Sequence, residues 1–261
     1  WSRMRFSYQE YFERMSEDPH SWGKPLSALL GALKMQLALG LPSIGGKDSM
    51  SGTFEHISVP PTLIAFGITT VDAARVISPE LKWEGNKLYL IKHTPKPDRM
   101  PDTEQLKANW DYVHAQIASG RIVSAWALGR GGVAEGLAKM SFGNLFGVDV
   151  RLDERQLFDL GYGSILVEAE GELDFPQAVR LGEVTPGDDG LLHICGERIL
   201  IDRLLQANAG KYAKVYPAAV PASYTKLLNV KAEGKYEAPH WKGPEVERPL
   251  VVGGIFELGV E

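Results

Sequence analysis

Residues 45–52, Gly-Gly-Lys-Asp-Ser-Met-Ser-Gly, are the part of this chain whose side chains best fit a chemical role. Glycines let backbone N–H groups approach an anion closely, and a lysine ammonium supplies a point charge. An aspartate is a hard oxygen ligand of the kind that Mg²⁺ binds while keeping most of its water. The run therefore predicts a loop that holds a phosphate with its magnesium ion. The competing hypothesis is a surface turn, because Gly, Asp and Ser are also common turn residues.

The elements on either side determine how such a loop is presented. Pro25 suits the first position of a helix, a leucine stripe follows it, and Gly40 suits the C-terminal cap, so we predict a helix over residues 25–39. The stripe consists of Leu26, Leu29, Leu30, Leu33 and Leu37. Residues 41–44 predict a short strand that leads into the loop. A Walker loop precedes its helix and ends in Gly-Lys-Ser/Thr, so this order argues against a Walker-type NTPase.

The rest of the chain alternates between strands and helices, which predicts a mixed α/β protein of the α+β class. Apolar, β-prone runs predict strands over residues 62–71, 88–91, 122–128, 148–152, 164–168, 181–184 and 191–195. Helical patterns predict helices over residues 103–119, about 132–142 and 201–209. Aromatic residues at helical spacing also predict a packing helix over residues 1–15.

Composition limits the classes of function. The 261 residues are 44% apolar and 23% charged, enough to bury a core in one or two domains. A net charge of −5 without a basic stretch argues against nucleic-acid binding, and no apolar run approaches the length of a membrane span. Cys195 is the only cysteine, so an intramolecular disulfide is excluded and a reducing, cytoplasmic setting fits. Because the chain begins at Trp1 inside a patterned segment, we expect a piece of a longer protein.

Four stretches of the chain resemble the phosphoribosylformylglycinamidine synthase family of de novo purine synthesis. Residues 41–51 closely resemble the Gly-Lys-Asp-Ser signature of that family. Residues 1–11 resemble the segment that precedes its second synthetase-like half, and residues 139–144 resemble the end of its central helix. Residues 157–167 resemble a Phe…Gly pattern followed by a strand. The resemblance extends over about residues 1–215.

The resemblance implies a fold, a domain organisation and an activity. The fold is the aminoimidazole-ribonucleotide-synthetase-like (PurM-like) one, in which an A and a B subdomain form each half of the enzyme. Residues 1–86 would be the C-terminal part of the second A subdomain, residues 87–222 the second B subdomain, and residues 223–261 a linker or tail. The whole enzyme converts formylglycinamide ribonucleotide to the amidine with ATP, Mg²⁺ and ammonia from glutamine. The start of the A subdomain and the glutaminase domain would be missing here.

Site residues follow from the resemblance by position. In the family this loop lies at a nucleotide site where its aspartate binds magnesium, so Asp48 is the implied metal ligand and ATP or ADP with Mg²⁺ the implied ligand. The implied phosphate contacts are Gly45, Gly46, Lys47, Ser49 and Ser51. No residue is assigned a catalytic role.

A departure from the family pattern suggests that this nucleotide site is auxiliary and structural. Many synthetase-like halves carry His-Asp…Ser-Asp-Gly-Gly between a strand and a helix, whereas residues 124–132 are Ser-Ala-Trp-Ala-Leu-Gly-Arg-Gly-Gly. A carboxylate is lost, and Arg130 could bind phosphate with its planar fork. The alternative for the glycines is tight packing of strand on helix, which we favour for them. For Arg130 both hypotheses stay open.

The leading hypothesis is therefore a synthetase-like segment that binds a magnesium nucleotide and is catalytically incomplete alone. Its partners would be the first synthetase-like half and the glutaminase domain, with a homodimer through A-subdomain strands as a further arrangement. The alternatives are a non-catalytic scaffold, or a related ATP-using enzyme such as selenophosphate synthetase or thiamine-monophosphate kinase. Three other polar residues give weaker indications of function. We expect His56 in a loop or at a strand edge and Cys195 as a buried, inert thiol. Glu135 could point to the site, but we favour a solvated position for it.

Overall fold

The computed structural model of the chain describes residues 1–211, 213, 215 and 216. Contacts group the chain into two units, Trp1–Asn208 and Ala209–Glu261. The first unit contains both of the larger sheets described below. The predicted linker or tail over residues 223–261 lies outside the described residues. The domain boundaries near residues 86 and 222 stay predictions.

A three-stranded sheet with one long helix forms the first part of the chain. Its elements are β1 (Arg5–Tyr11), α1 (Pro19–Leu39), β2 (Ser43–Ser49), the short hairpin strands β3 (Thr53–Phe54) and β4 (Ile57–Ser58), and β5 (Thr62–Ile68). The strand order is β2-β1-β5, with β2 parallel and β5 antiparallel to the central β1. Helix α1 connects the two parallel strands, as a βαβ crossover requires. Both β2 and β5 are edge strands of this sheet.

The packing helix predicted for residues 1–15 is wrong, because the segment forms strand β1. Phe6 and Tyr8 are aromatic residues that favour strands, and they lie two residues apart. Strand β1 is paired on both sides, with Tyr8 opposite Gly46 of β2 and Ala65 of β5. These two ladders decide the conformation, and both come from distant parts of the chain. Local spacing of aromatic residues could not reveal them.

Helix α1 confirms the predicted helix but begins six residues earlier, at Pro19 rather than Pro25. Asp18 caps it, since its carboxylate accepts a hydrogen bond from the backbone N–H of His20 at 3.0 Å. The helix ends, as predicted, at Gly40, which has a left-handed φ of 67°. The predicted leucine stripe is present but exposed in the described part of the chain, Leu37 to 74%. Its five leucines therefore form an uncovered apolar face, which we call the leucine face.

A seven-stranded sheet with helices forms the larger part of the first unit. Its strands are β6 (Lys87–Ile91), β7 (Ile122–Ala127), β8 (Gly147–Val150), β9 (Ile165–Ala169), β10 (Ala178–Thr185), β11 (Leu191–Ile194) and β12 (Glu197–Leu200). The helices are α2 (Thr103–Ala118), α3 (Gly132–Ser141), α4 (Glu154–Leu157) and α5 (Ile201–Gly210). The strand order is β12-β11-β8-β10-β6-β9-β7. The predicted mixed α/β class is confirmed, and each predicted strand from residue 62 onward has a counterpart.

Successive residues of the central strands β6 and β9 point into two different cores. Leu88 and Leu166 pack in the core that α3 covers, whereas Tyr89 and Val167 pack in the core that contains Val113 of α2. The sheet is therefore buried on both faces, which explains why these strands are continuous apolar runs rather than alternating ones. None of the helices in the described part of the chain is long and apolar enough to cross a membrane.

A buried carboxylate fixes the segment that connects the two larger sheets. Glu168 of β9 is fully buried and accepts hydrogen bonds from the backbone N–H groups of Lys82 at 2.8 Å and Trp83 at 3.0 Å. It also accepts one from Asn86 Nδ2 at 2.7 Å. Burial raises the pKa of Glu168, although these three hydrogen bonds favour its charged form. The carboxylate therefore clamps residues 82–86 onto the seven-stranded sheet.

Glu80, in the same segment, makes stability depend on pH. Its carboxylate accepts hydrogen bonds from Lys82 Nζ at 2.7 Å and Ser78 Oγ at 2.5 Å. These bonds, that from Lys82 first, lower the pKa of Glu80 from 4.5 to about 2. A folded-state pKa below the unfolded value means that the ionised form stabilises the folded chain. This contribution is complete above about pH 4.5 and is lost as the pH falls toward about 2.

We expect Glu80→Gln to reduce the stability lost on acidification. The difference from wild type at neutral pH should be about 1 kcal/mol or less, because solvent screens a pair near the surface. Thermal melts between pH 5 and pH 3 measure the loss of stability on acidification for wild type and Glu80→Gln. Glu84→Gln, which changes an exposed carboxylate, is the matched control. Equal acid sensitivity of wild type and Glu80→Gln would contradict the assignment.

Candidate functional site

The predicted phosphate loop is a strand for most of its length, which corrects its secondary structure. Gly45 to Ser49 belong to β2 and are paired residue by residue with β1, from Ser7 opposite Gly45 to Tyr11 opposite Ser49. Only the residues after Ser49 leave the strand. The physical reason is the parallel partner β1, which gives this glycine-rich segment a hydrogen-bonding ladder. A turn-like composition does not prevent a strand when such a ladder is present.

The strand divides the predicted site residues between two faces. Side chains alternate along a strand, so Asp48 lies on the face of Gly46, and Lys47 lies on the opposite face with Ser49. The Lys47 ammonium is 5.3 Å from the centre of the Tyr11 ring, which is a cation–π contact. The structure therefore does not bring the Lys47 ammonium beside the Asp48 carboxylate. Their predicted roles would require contact with a ligand from different sides.

Asp48 has a second carboxylate beside it, from Glu10 of β1. The two residues are paired in the parallel register of β1 and β2. Paired strands lie about 4.8 Å apart, so the two carboxylates share one face at short range. Both line a cavity of about 290 Å³ whose other lining residues are Tyr8, Leu29, Gly46, Lys47 and Met50. Asp48 is exposed at this cavity, whereas Glu10 is only 5% exposed.

Glu10 is the functional candidate that sequence reasoning missed. Its Oε1 atom is buried and has no hydrogen-bond partner among the described residues. Burial, and then the charge of Asp48, raises the pKa of Glu10. The signal in the sequence was the alternation of Phe6, Tyr8 and Glu10, which places all three on one face of a strand. The helix predicted for residues 1–15 concealed it.

The neighbouring strand requires a glycine at position 46. A Cβ atom at this position would lie 2.4 Å from the backbone oxygen of Tyr8. No real Cβ atom approaches a backbone atom so closely, so any larger residue must push β2 away from β1. Gly45, opposite Ser7, is exposed. The predicted approach of both glycines to a phosphate stays a prediction.

Arg130 lies in the turn between β7 and α3 and is exposed. It is not among the residues that line the cavity beside β2. The glycines that follow it have packing roles: Gly131 N–H donates to Glu135 Oε2 at 3.0 Å, and a Cβ on Gly132 would lie 2.7 Å from the Leu157 oxygen. Gly132 also has a positive φ of 63°. Glu135 is half-buried, and its Oε2 atom accepts this hydrogen bond from the turn before α3.

Three further residues singled out in the sequence do not line the cavity beside β2. His56 is an exposed residue of the turn between β3 and β4, as expected for a loop histidine. The Cys195 thiol donates to the Leu152 oxygen at 3.1 Å, with no base in that contact. Ser51 is exposed just after β2.

The donor set beside β2 fits a magnesium ion that also binds phosphate. Among the described residues, no group of three or more His, Cys, Asp or Glu side chains is placed to hold a metal ion. Mg²⁺ commonly needs only one or two carboxylates, with waters and phosphate oxygens completing its octahedron. The unpartnered Oε1 of Glu10 and the exposed carboxylate of Asp48 provide such a pair.

Comparison with known proteins identifies the fold. The chain is 27% identical over 155 residues to phosphoribosylformylglycinamidine synthase subunit PurL of Beijerinckia indica, a match that covers 52% of this chain and 21% of that protein. Thermotoga maritima PurL complexed with AMPPCP matches 98% of this chain and 44% of its own, with 13% identity and a TM-score of 0.56. The chain has a PurL-like fold of the aminoimidazole-ribonucleotide-synthetase type. No family model matches it.

This PurL-like fold is shared with a second kind of protein. The hydrogenase maturation protein HypE matches 76% of this chain and 76% of its own, with 15% identity and a TM-score of 0.55. Solved structures of T. maritima PurL include complexes with ATP and ADP, and HypE has been solved with ATP. The chain spans less than half the length of the PurL proteins it matches.

Proposed function

We propose that this chain is part of a cytoplasmic phosphoribosylformylglycinamidine synthase and that it binds ADP or ATP with Mg²⁺ beside strand β2. The whole enzyme would convert formylglycinamide ribonucleotide to the amidine with ATP and glutamine-derived ammonia. Residues 1–86 would be the C-terminal part of an A subdomain and residues 87–222 a B subdomain. The 27% identity to a PurL subunit favours this enzyme over other users of the same fold.

The observation that carries the proposal is the position of Asp48. It is an exposed carboxylate at the rim of a cavity of about 290 Å³, on an edge strand whose next residues include Ser49 and Ser51. In this arrangement Asp48 would hold the magnesium ion, and Ser51, just after the strand, would donate to a phosphate oxygen. Ser49 lies on the opposite face of β2 with Lys47, so it would contact phosphate only from that side. The ion would supply positive charge that neutralises the phosphates. The nucleotide complexes of PurL and HypE support the ligand class.

Lys47 needs a side-chain movement to take part. Lys47 is among the residues that line the cavity, but its ammonium group lies over the Tyr11 ring. An exposed cation–π contact is worth only about 0.5–1 kcal/mol, so a phosphate can compete for the ammonium. Lys47 would therefore leave Tyr11 when nucleotide binds. Arg130, which does not line this cavity, would contact phosphate only at another place.

We further propose that the nucleotide has a structural role and that the chain makes no amidine by itself. The Cys195 thiol donates to a backbone oxygen, so it is not arranged as a glutaminase nucleophile. The leucine face of α1 and the open edges of β2 and β5 are surfaces that the other domains, or a second copy, would cover. A pure scaffold is the second candidate function, because this uncovered apolar face is itself typical of an interaction surface.

Calorimetry with MgADP on the full chain tests the nucleotide site. We expect Asp48→Asn to weaken binding about tenfold or more, because it removes a charged ligand at the ion. Asp188→Asn, an exposed carboxylate near the seven-stranded sheet, is the matched control and should bind as wild type does. Unchanged affinity of Asp48→Asn would contradict the proposed site. Absence of heat with wild type at millimolar MgADP would favour the scaffold.

A further inference from the structure

We propose that Glu10 is a metal ligand: with Asp48 it forms a two-carboxylate site across strands β1 and β2 that binds a divalent cation before any nucleotide is present. This inference deepens the proposed function, because the cation would be the one that accompanies the nucleotide. It nevertheless makes a separate claim, since a cation can bind to the carboxylates alone.

The geometry is set by the register of two parallel strands. Glu10 lies opposite Asp48, and both carboxylates line the cavity beside β2. Gly46, two residues before Asp48, brings β2 so close to β1 that a Cβ would meet the Tyr8 oxygen at 2.4 Å. The ladder between β1 and β2 therefore sets the separation of the two carboxylates in the absence of a ligand. Such preorganisation favours an ion that needs both ligands.

One carboxylate oxygen of Glu10 is buried without a partner. Glu10 is only 5% exposed, and its Oε1 accepts no hydrogen bond from the described residues. Burying a carboxylate without a partner is costly, and a second carboxylate beside it adds repulsion. A divalent cation between the two carboxylates would satisfy the free oxygen and cancel both charges.

The chemistry of the site selects a hard cation. The polar lining of the cavity consists of two carboxylates, a tyrosine and Lys47, whose ammonium lies over the Tyr11 ring, with neither histidine nor cysteine. Oxygen ligands suit Mg²⁺ and Mn²⁺, whereas nitrogen and sulfur ligands suit zinc. The exposed side of Asp48 leaves room for waters, or for phosphate oxygens when a nucleotide binds. The expected cation is therefore Mg²⁺, for which Mn²⁺ is a spectroscopic substitute.

Titration of the full chain with Mn²⁺, followed by the paramagnetic resonance signal of the free ion, tests the inference without nucleotide. Wild type should bind one Mn²⁺, and Glu10→Gln and Asp48→Asn should each weaken binding about tenfold or more. Glu17→Gln, which changes an exposed carboxylate near the same sheet, should bind as wild type does. Binding by Glu10→Gln within twofold of wild type would overturn the inference and leave Glu10 as a protonated core residue.

A second measurement uses only the wild-type chain and so does not depend on the folding of a variant. The side-chain carboxyl ¹³C resonances of Glu10 and Asp48 should shift together during a Mg²⁺ titration and reach saturation together. A shift at Asp48 with none at Glu10 would overturn the inference. Failure of the proposed function looks different: Mn²⁺ binding would depend on Glu10, but MgADP would give no heat. If nucleotide binding needs Asp48 but tolerates Glu10→Gln, the proposed function stands and the inference about Glu10 fails.

Discussion

Replacing Glu168 with alanine is expected to lower the free energy of unfolding by about 3–5 kcal/mol. The substitution would leave the N–H groups of Lys82 and Trp83 and the Asn86 amide, all at partly buried positions, without their acceptor. Each unsatisfied buried donor costs about 1–3 kcal/mol, and the volume of the lost side chain adds a cavity. Urea denaturation followed by circular dichroism measures the change.

Two further variants separate the clamp from simple loss of a carboxylate. Glu168→Gln keeps the shape and one acceptor oxygen, so it should lose clearly less stability than Glu168→Ala. Glu170→Ala removes an exposed carboxylate just beyond the same strand and should stay within about 0.5 kcal/mol of wild type. If Glu168→Ala unfolds at the same urea concentration as Glu170→Ala, residues 82–86 are not held by this carboxylate.

The seven-stranded sheet was predictable because its signals are local. Runs such as residues 88–91 and 164–168 are apolar throughout, and a sheet buried on both faces requires such runs. Their order in the sheet was not predictable, since β6 lies between β9 and β10, which come much later in the chain. Strand order depends on long-range pairing, which a single sequence does not record.

The candidate site was predictable only in part. Its location at residues 45–51 followed from residue types, and Asp48 indeed lies at a cavity. The geometry of the site could not be predicted in this way. A loop would allow the side chains of Lys47 and Asp48 to converge, whereas the strand places them on opposite faces. Glu10 could not be found without knowing that residues 5–11 pair with this strand. Pairing with β1 therefore explains both why the predicted loop is a strand and why Glu10 was missed.

The leucine face of α1 shows a different limit of the sequence. Periodicity correctly predicted which side of the helix is apolar, but not what contacts that side. In the described part of the chain the face is exposed, and the match to 44% of a PurL chain means that the relative has further segments. Periodicity describes a single helix, whereas the contacts of its apolar side depend on which other segments pack there.

Gly46→Ala is expected to lower the free energy of unfolding by about 2–3 kcal/mol even without any nucleotide or metal. Its Cβ would lie 2.4 Å from the Tyr8 oxygen, so β2 must move away from β1 and break part of the ladder that pairs Glu10 with Asp48. Thermal or urea unfolding measures the loss, and the Mn²⁺ titration should weaken in parallel.

Gly31→Ala is the matched control for Gly46→Ala, because a Cβ at Gly31 meets nothing within 4 Å and the residue lies inside helix α1. Alanine there should stabilise the chain by about 0.5–1 kcal/mol, since glycine is a poor helix former. The pair of variants also separates two explanations of the glycine. If Gly46 serves only the approach of a phosphate, Gly46→Ala would unfold like wild type in the absence of ligand and lose affinity alone. A loss of stability without ligand means that Gly46 is needed for the contact between β1 and β2. The same contact sets the distance between the carboxylates of Glu10 and Asp48, which pair in this ladder.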